Sequence, residues 1–157
     1  MYYAPMKTSL SRILRSAIAL LVLVGWSAAA VAGPAPAAEV VIEPVGNQMK
    51  FQQESFTVKP GQEVTLVFDN TASSPAMKHN VVLLKAGASV QQVGQKAMTA
   101  ENYIPDTDAI LAHTALADPG ETVEVTFTAP DEPGEYPYAC TYPGHYTTMK
   151  GVMTVAE

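Results

Sequence analysis

The sequence predicts an all-β fold, a two-sheet Greek-key sandwich of seven to eight short strands with one short inserted helix. Three observations carry that expectation: apolar residues alternate with period two, Pro-Gly turns recur between the alternating runs, and one long stretch changes to helical periodicity. In chain order, the run 40–45 opens the series, and Phe56 and Val58 alternate next. Val64, Leu66 and Phe68 follow, with Thr65 and Asp69 between and beyond them, although Val67 breaks the pattern. Val123, Val125 and Phe127 alternate cleanly with Thr122, Glu124, Thr126 and Thr128. Alternation of this kind marks half-buried strands, since successive side chains point to opposite faces. The two better strands each follow a Pro-Gly turn, Lys59-Pro60-Gly61-Gln62 and Asp118-Pro119-Gly120-Glu121. There Pro fixes φ at the first corner and Gly supplies positive φ at the second. A third such turn is expected at Pro133-Gly134, before the run 135–140, and 151–155 closes the series.

Between the strand starting near Asn80 and the apolar Ile110-Leu111 lies a segment too long for a bare loop in a compact domain. Ser89 followed by Gln92 is a capping-box pattern, and Val90, Val93 and Ala97 recur at spacings of three and four. A helix from about Val90 to Met98 is therefore expected.

The chain has 157 residues, which suits one domain, and a formal charge of −6 without a Lys/Arg run. That balance argues against nucleic acid as a partner, because phosphate binding needs clustered cations. A single cysteine excludes an intramolecular disulfide framework, so the fold must stand on its core.

Residues 1–32 read as a signal peptide. Lys7, Arg12 and Arg15 form a basic region, 17–32 is apolar except for Ser27, and Ala30-Val31-Ala32 offers small residues for cleavage. The apolar run is shorter than the roughly 20 residues of a spanning helix, so no membrane span is expected after processing. Cleavage after Ala32 would remove three bases and no acid, taking the charge from −6 to −9. Residues 33–38 then read as a short disordered leader and 39–157 as the folded domain. Such a leader implies export, hence a periplasmic protein.

The chemistry concentrates near the C-terminus in Cys140-Thr141-Tyr142-Pro143-Gly144-His145-Tyr146-Thr147-Thr148-Met149. His79 stands far upstream. A thiolate, two imidazoles and a thioether form the donor set associated with blue-copper electron-transfer sites. Cys140 is expected at the end of a strand, His145 at the loop tip, and Met149 where the last strand begins. Pro143 stiffens that loop and Gly144 is expected to permit a tight approach. His113 reads instead as a surface or interface residue on a strand and is left out of the site. Cys140 with His145 also fits a cysteine hydrolase, but no orienting acid lies nearby and His79 and Met149 would go unexplained.

The loop CTYPGHYTTMKG, with the upstream His79-Asn80 pair, Gly46-Asn47-Gln48-Met49 and Ile110-Leu111-Ala112-His113-Thr114 in that order, resembles the blue-copper proteins, or cupredoxins. Azurin is the nearest in pattern, with auracyanin and plastocyanin as relatives. The resemblance implies a cupredoxin-type sandwich holding one copper ion that cycles between Cu(I) and Cu(II). It assigns His79, Cys140 and His145 as equatorial ligands and Met149 as the long axial one. Asn80 resembles the asparagine tying the two ligand-bearing segments together, and the N–H groups of Asn80 and Tyr142 would point at the Cys140 sulfur. Lys78 stands where azurin has a glycine whose carbonyl makes a second axial contact, and azurin's disulfide has no counterpart here. The implied function is one-electron shuttling, not catalysis, by a monomer. Its redox partners, such as a c-type cytochrome, would dock transiently at His145 among Met77, Tyr142 and Pro143. A periplasmic copper carrier or buffer, delivering copper to another protein, uses similar ligands and is the alternative reading.

Overall fold

The structure is a computed structural model that describes residues 1–2 and 35–157. From residue 3 onward the expected signal segment lies outside the described residues, as do Gly33 and Pro34 of the leader. Eight strands form: β1 (Ala38–Ile42), β2 (Ser55–Val58), β3 (Glu63–Asp69), β4 (Val82–Leu84), β5 (Ile110–His113), β6 (Thr122–Thr128), β7 (Gly134–Ala139) and β8 (Lys150–Val155). One sheet has the order β1-β3-β6 and the other β2-β8-β7-β4-β5. β1 runs parallel to β3 and β2 parallel to β8, while the remaining ladders are antiparallel. The last residue of the expected leader is thus the first of β1, and the Pro36 carbonyl already accepts from Gln62 Nε2 at 2.7 Å.

The alternating residues meet in one core. Val64, Leu66 and Phe68 of β3 pack with Tyr138 of β7 and Met153 and Val155 of β8, together with Phe51 and Val81. Removing each such side chain from water is worth on the order of 2 kcal/mol. Val67, the break in the pattern, pairs with Val41 on the outer face. Both early Pro-Gly turns form as expected: Gly61 and Gly120 have φ of 65° and 83°, and Gln62 and Glu121 donate back to Lys59 and Asp118 at 3.2 and 3.0 Å. The third does not. Gly134 has no positive φ and begins β7, paired with Val155, because the ladder to β8 claims its backbone.

The apolar run Val81-Val82-Leu83-Leu84 lacks alternation because both faces are covered. Val81 and Leu83 enter the main core, whereas Val82 and Leu84 pack with Val93 in a second cluster. Val93 lies on α1 (Val90–Ala97), where Ser89 accepts from Gln92 N as the N-cap and Met98 ends the helix. The helix therefore sits within a residue of its expected bounds. His113 is exposed on β5 opposite Val82, as its surface reading requires.

Candidate metal centre

Two segments deliver the donors. The first precedes β4. His79 forms a two-way backbone bridge with Ala117, donating to its carbonyl at 3.2 Å and accepting from its N–H at 2.8 Å. Asn70, fully buried, donates from Nδ2 to the carbonyls of Met77 and Ala117 at 2.9 and 3.0 Å. These bonds fix the chain on both sides of His79, whose ring packs edge-on against Phe68.

The second segment leaves β7 at Cys140 and returns at β8. Cys140 N donates to the Met149 carbonyl at 3.0 Å, and Met149 N donates to the His145 carbonyl at 2.8 Å. A 3-10 turn over His145–Thr147 makes the return, entered through Gly144 at φ 83°. A Cβ at Gly144 would meet nothing within 4 Å, so its glycine serves the left-handed backbone and not the tight approach expected from the sequence.

Asn80 ties the two segments. Its Oδ1 accepts from Thr141 N at 2.8 Å, and its Nδ2 donates to Thr141 Oγ1 at 2.9 Å. Thr141 Oγ1 in turn donates to the Tyr103 carbonyl at 2.7 Å. Every polar group of this buried link has a partner, which makes it rigid.

The result is a triangle of donor atoms. His79 Nδ1 and His145 Nδ1 lie 3.1 Å apart, and Cys140 Sγ lies 3.7 and 3.6 Å from them. A point equidistant from all three is about 2.0 Å from each, close to metal–nitrogen bond lengths. Among the described residues this is the one cluster of three His, Cys, Asp or Glu donors placed for a metal. His79 Nε2 is buried without a partner, so the only engaged nitrogen of that ring is the one facing the cluster. Met149 is fully buried and joins the site through its backbone bonds to Cys140 and His145. His79, Cys140 and Met149 are 0% exposed and His145 5%.

Burial also sets the protonation states. It pushes the Cys140 thiol up to about 12, although the N–H groups of Asn80 and Tyr142 both favour the thiolate. Burial, then the neighbouring His145, takes His79 down to about 4, and burial also lowers His145. Without metal, burial therefore favours neutral rings and a protonated thiol. Soft, neutral donors around a buried thiol fit copper, whose charge replaces the lost proton. Lys78 pairs with Asp118, whose hydrogen bond and charge raise its pKa.

The sequence reasoning named His79, Cys140 and His145, which the fold brings together, Met149, which is buried nearby, and Asn80, which ties the two segments. It missed Asn70, Thr141, Tyr103 and Ala117, which hold them. Of these only Thr141, adjacent to Cys140, carried any signal.

A β-sandwich with a buried His2Cys triangle and an adjoining buried Met defines the blue-copper class of proteins, with Cu as the metal. The chain belongs to the family described as copper binding proteins, plastocyanin/azurin family, which it matches over residues 38–156. It is 44% identical to auracyanin-A of Chloroflexus aurantiacus over 115 residues, 70% of this chain and 69% of that protein. To azurin of Alcaligenes faecalis it is 36% identical over 130 residues, 77% of this chain and 100% of that one. The solved auracyanin A, described as a "blue" copper protein, superposes with a TM-score of 0.71 at 38% identity, covering 78% of this chain and 100% of that one.

Proposed function

We propose that the protein is a periplasmic carrier of single electrons, exported by its N-terminal segment and working as a monomer. The observation that carries this reading is the donor triangle, set by hydrogen bonds that do not depend on metal. Copper bound there supplies a one-electron Cu(I)/Cu(II) couple. The protein's own part is to keep His79, Cys140 and His145 in place, so that little rearrangement opposes transfer. The Asn80 and Tyr142 N–H groups withdraw electron density from Sγ, which favours the reduced metal.

His145, the one donor with residual exposure, is the port through which electrons pass. The half-buried Tyr142 ring meets the His145 ring at 5.0 Å, and with half-buried Met77 and exposed Pro143 it would offer an apolar contact to a partner. A charge of −9 after processing favours a basic partner such as a c-type cytochrome, and that attraction weakens as salt rises.

Stopped-flow mixing of the copper-loaded protein with candidate cytochromes c, beside a copper-loss assay, tests the reading. Fast exchange that slows with salt while copper is retained is expected. Ready release of copper to an acceptor, with slow electron exchange, would select the carrier or buffer instead.

A further inference from the structure

The stretch between β4 and β5, residues 85–109, does more than cover an outer sheet face. Near one end, α1 presents Gly94 to the ring of Tyr146 so closely that a Cβ there would collide with three ring atoms. Tyr146 is buried and directly follows His145 in the 3-10 turn. Near the other end, Asn102 and Tyr103 have φ of 51° and 59°, a region that Asn enters readily but that a bulky residue such as Tyr103 avoids. Such backbone persists only where its surroundings hold it. Here it aims the Tyr103 carbonyl at Thr141 Oγ1, the residue after Cys140. It also sets the Tyr103 ring edge-on to Tyr142 at 5.1 Å, and Tyr142 meets the His145 ring at 5.0 Å.

The stretch thus grips the metal loop beside two of its donors, Cys140 and His145, one residue beyond each. We propose that residues 85–109 are a brace, in which Tyr103 and the Gly94–Tyr146 contact are positioning elements that keep Cys140 and His145 at metal-ready separations before any metal binds. The coupling is mutual. An eight-residue helix is marginal on its own, so α1 depends on the surfaces it packs against. Those surfaces are β4, through Val93, and the loop, through Gly94. The consequence for electron exchange rests on the carrier reading above, whereas the brace itself does not.

Amide hydrogen exchange of the metal-free protein tests the brace without reference to any electron partner. Gly94→Ala and Tyr103→Ala are expected to speed exchange across 141–148 about tenfold or more while β3 and β6 keep their protection. Tyr146→Phe, which keeps the ring, should match the unsubstituted protein. After copper loading, the first two variants should show altered visible absorption and slower electron self-exchange. Gly94→Ala combined with Tyr146→Ala should be no worse than Tyr146→Ala alone, since both act through one contact. Unchanged loop exchange in the first two variants, equal loss of protection in β3 and β6, or additive effects in the double variant would each overturn the brace. Unchanged loop exchange in the variants together with normal cytochrome kinetics would remove the brace while leaving the carrier reading intact.

Discussion

The arm before β4 and the loop after β7 hold their donors in opposite ways. His79 is fixed from the sheet side, bridged to Ala117 in both directions, clasped by Asn70, and wholly enclosed. Cys140, His145 and Met149 come from a loop that closes on itself through Met149 and His145, and His145 alone keeps some exposure. The difference teaches that the sheet supplies a fixed reference, while the loop supplies reactivity and access. Asn80 is the joint between them.

The largest effect is expected on removing the thiolate. Cys140→Ser should abolish the blue colour of copper-reconstituted protein, read by visible absorption; retained colour would place the sulfur outside the site. Next come the two histidines, which test the contrast directly. His145→Gly should leave a gap near the surface that added imidazole refills, restoring the colour, whereas His79→Gly, enclosed in the core, should not be rescued. Equal rescue at both would erase the distinction between the arms.

Cutting the joint should cost less. Asn80→Ala leaves Thr141 N without its buried acceptor, so urea unfolding should show a loss of about 2 kcal/mol. Of the same order is the acid response of the metal-free protein. His79 is held at about 4 against an ordinary 6.5, so the unfolded chain binds the extra proton between those values. Stability should therefore fall as pH drops from 6.5 through about 4, and titrating the metal-free protein with urea at several pH values checks it. Finally, Met149→Leu should keep the colour and raise the reduction potential. A tenfold change in preference between the oxidation states is about 59 mV for one electron, and voltammetry would reveal a shift of that order. An unchanged potential would show that Met149 does not act axially.

Where a signal was local, the sequence showed it. Ser89 and the Val90, Val93, Ala97 spacing placed α1 because capping and periodicity act within a few residues. Gly61 and Gly120 marked real turns for the same reason. Gly134 misled, since a Pro-Gly pair also suits a strand start when a ladder partner stands opposite. Gly144 was correctly singled out for the wrong cause, because φ and open space are not separable in one letter of sequence. The donors were legible through their chemistry and their resemblance to a family. Their supports were not: Tyr103 reaches Thr141 across 38 positions and Asn70 reaches Ala117 across 47, and neither residue type implies such a bond.

The enclosed, protonated sulfur of Cys140 has one more effect. A lone thiol meets oxidants and other thiols, and the attacking species is the thiolate. At 0% exposure and a pKa of about 12, this one offers almost none. A newly made copy can wait for its metal without dimerising through sulfur or being spoiled by peroxide, so its useful lifetime while empty is set by the walls of the pocket.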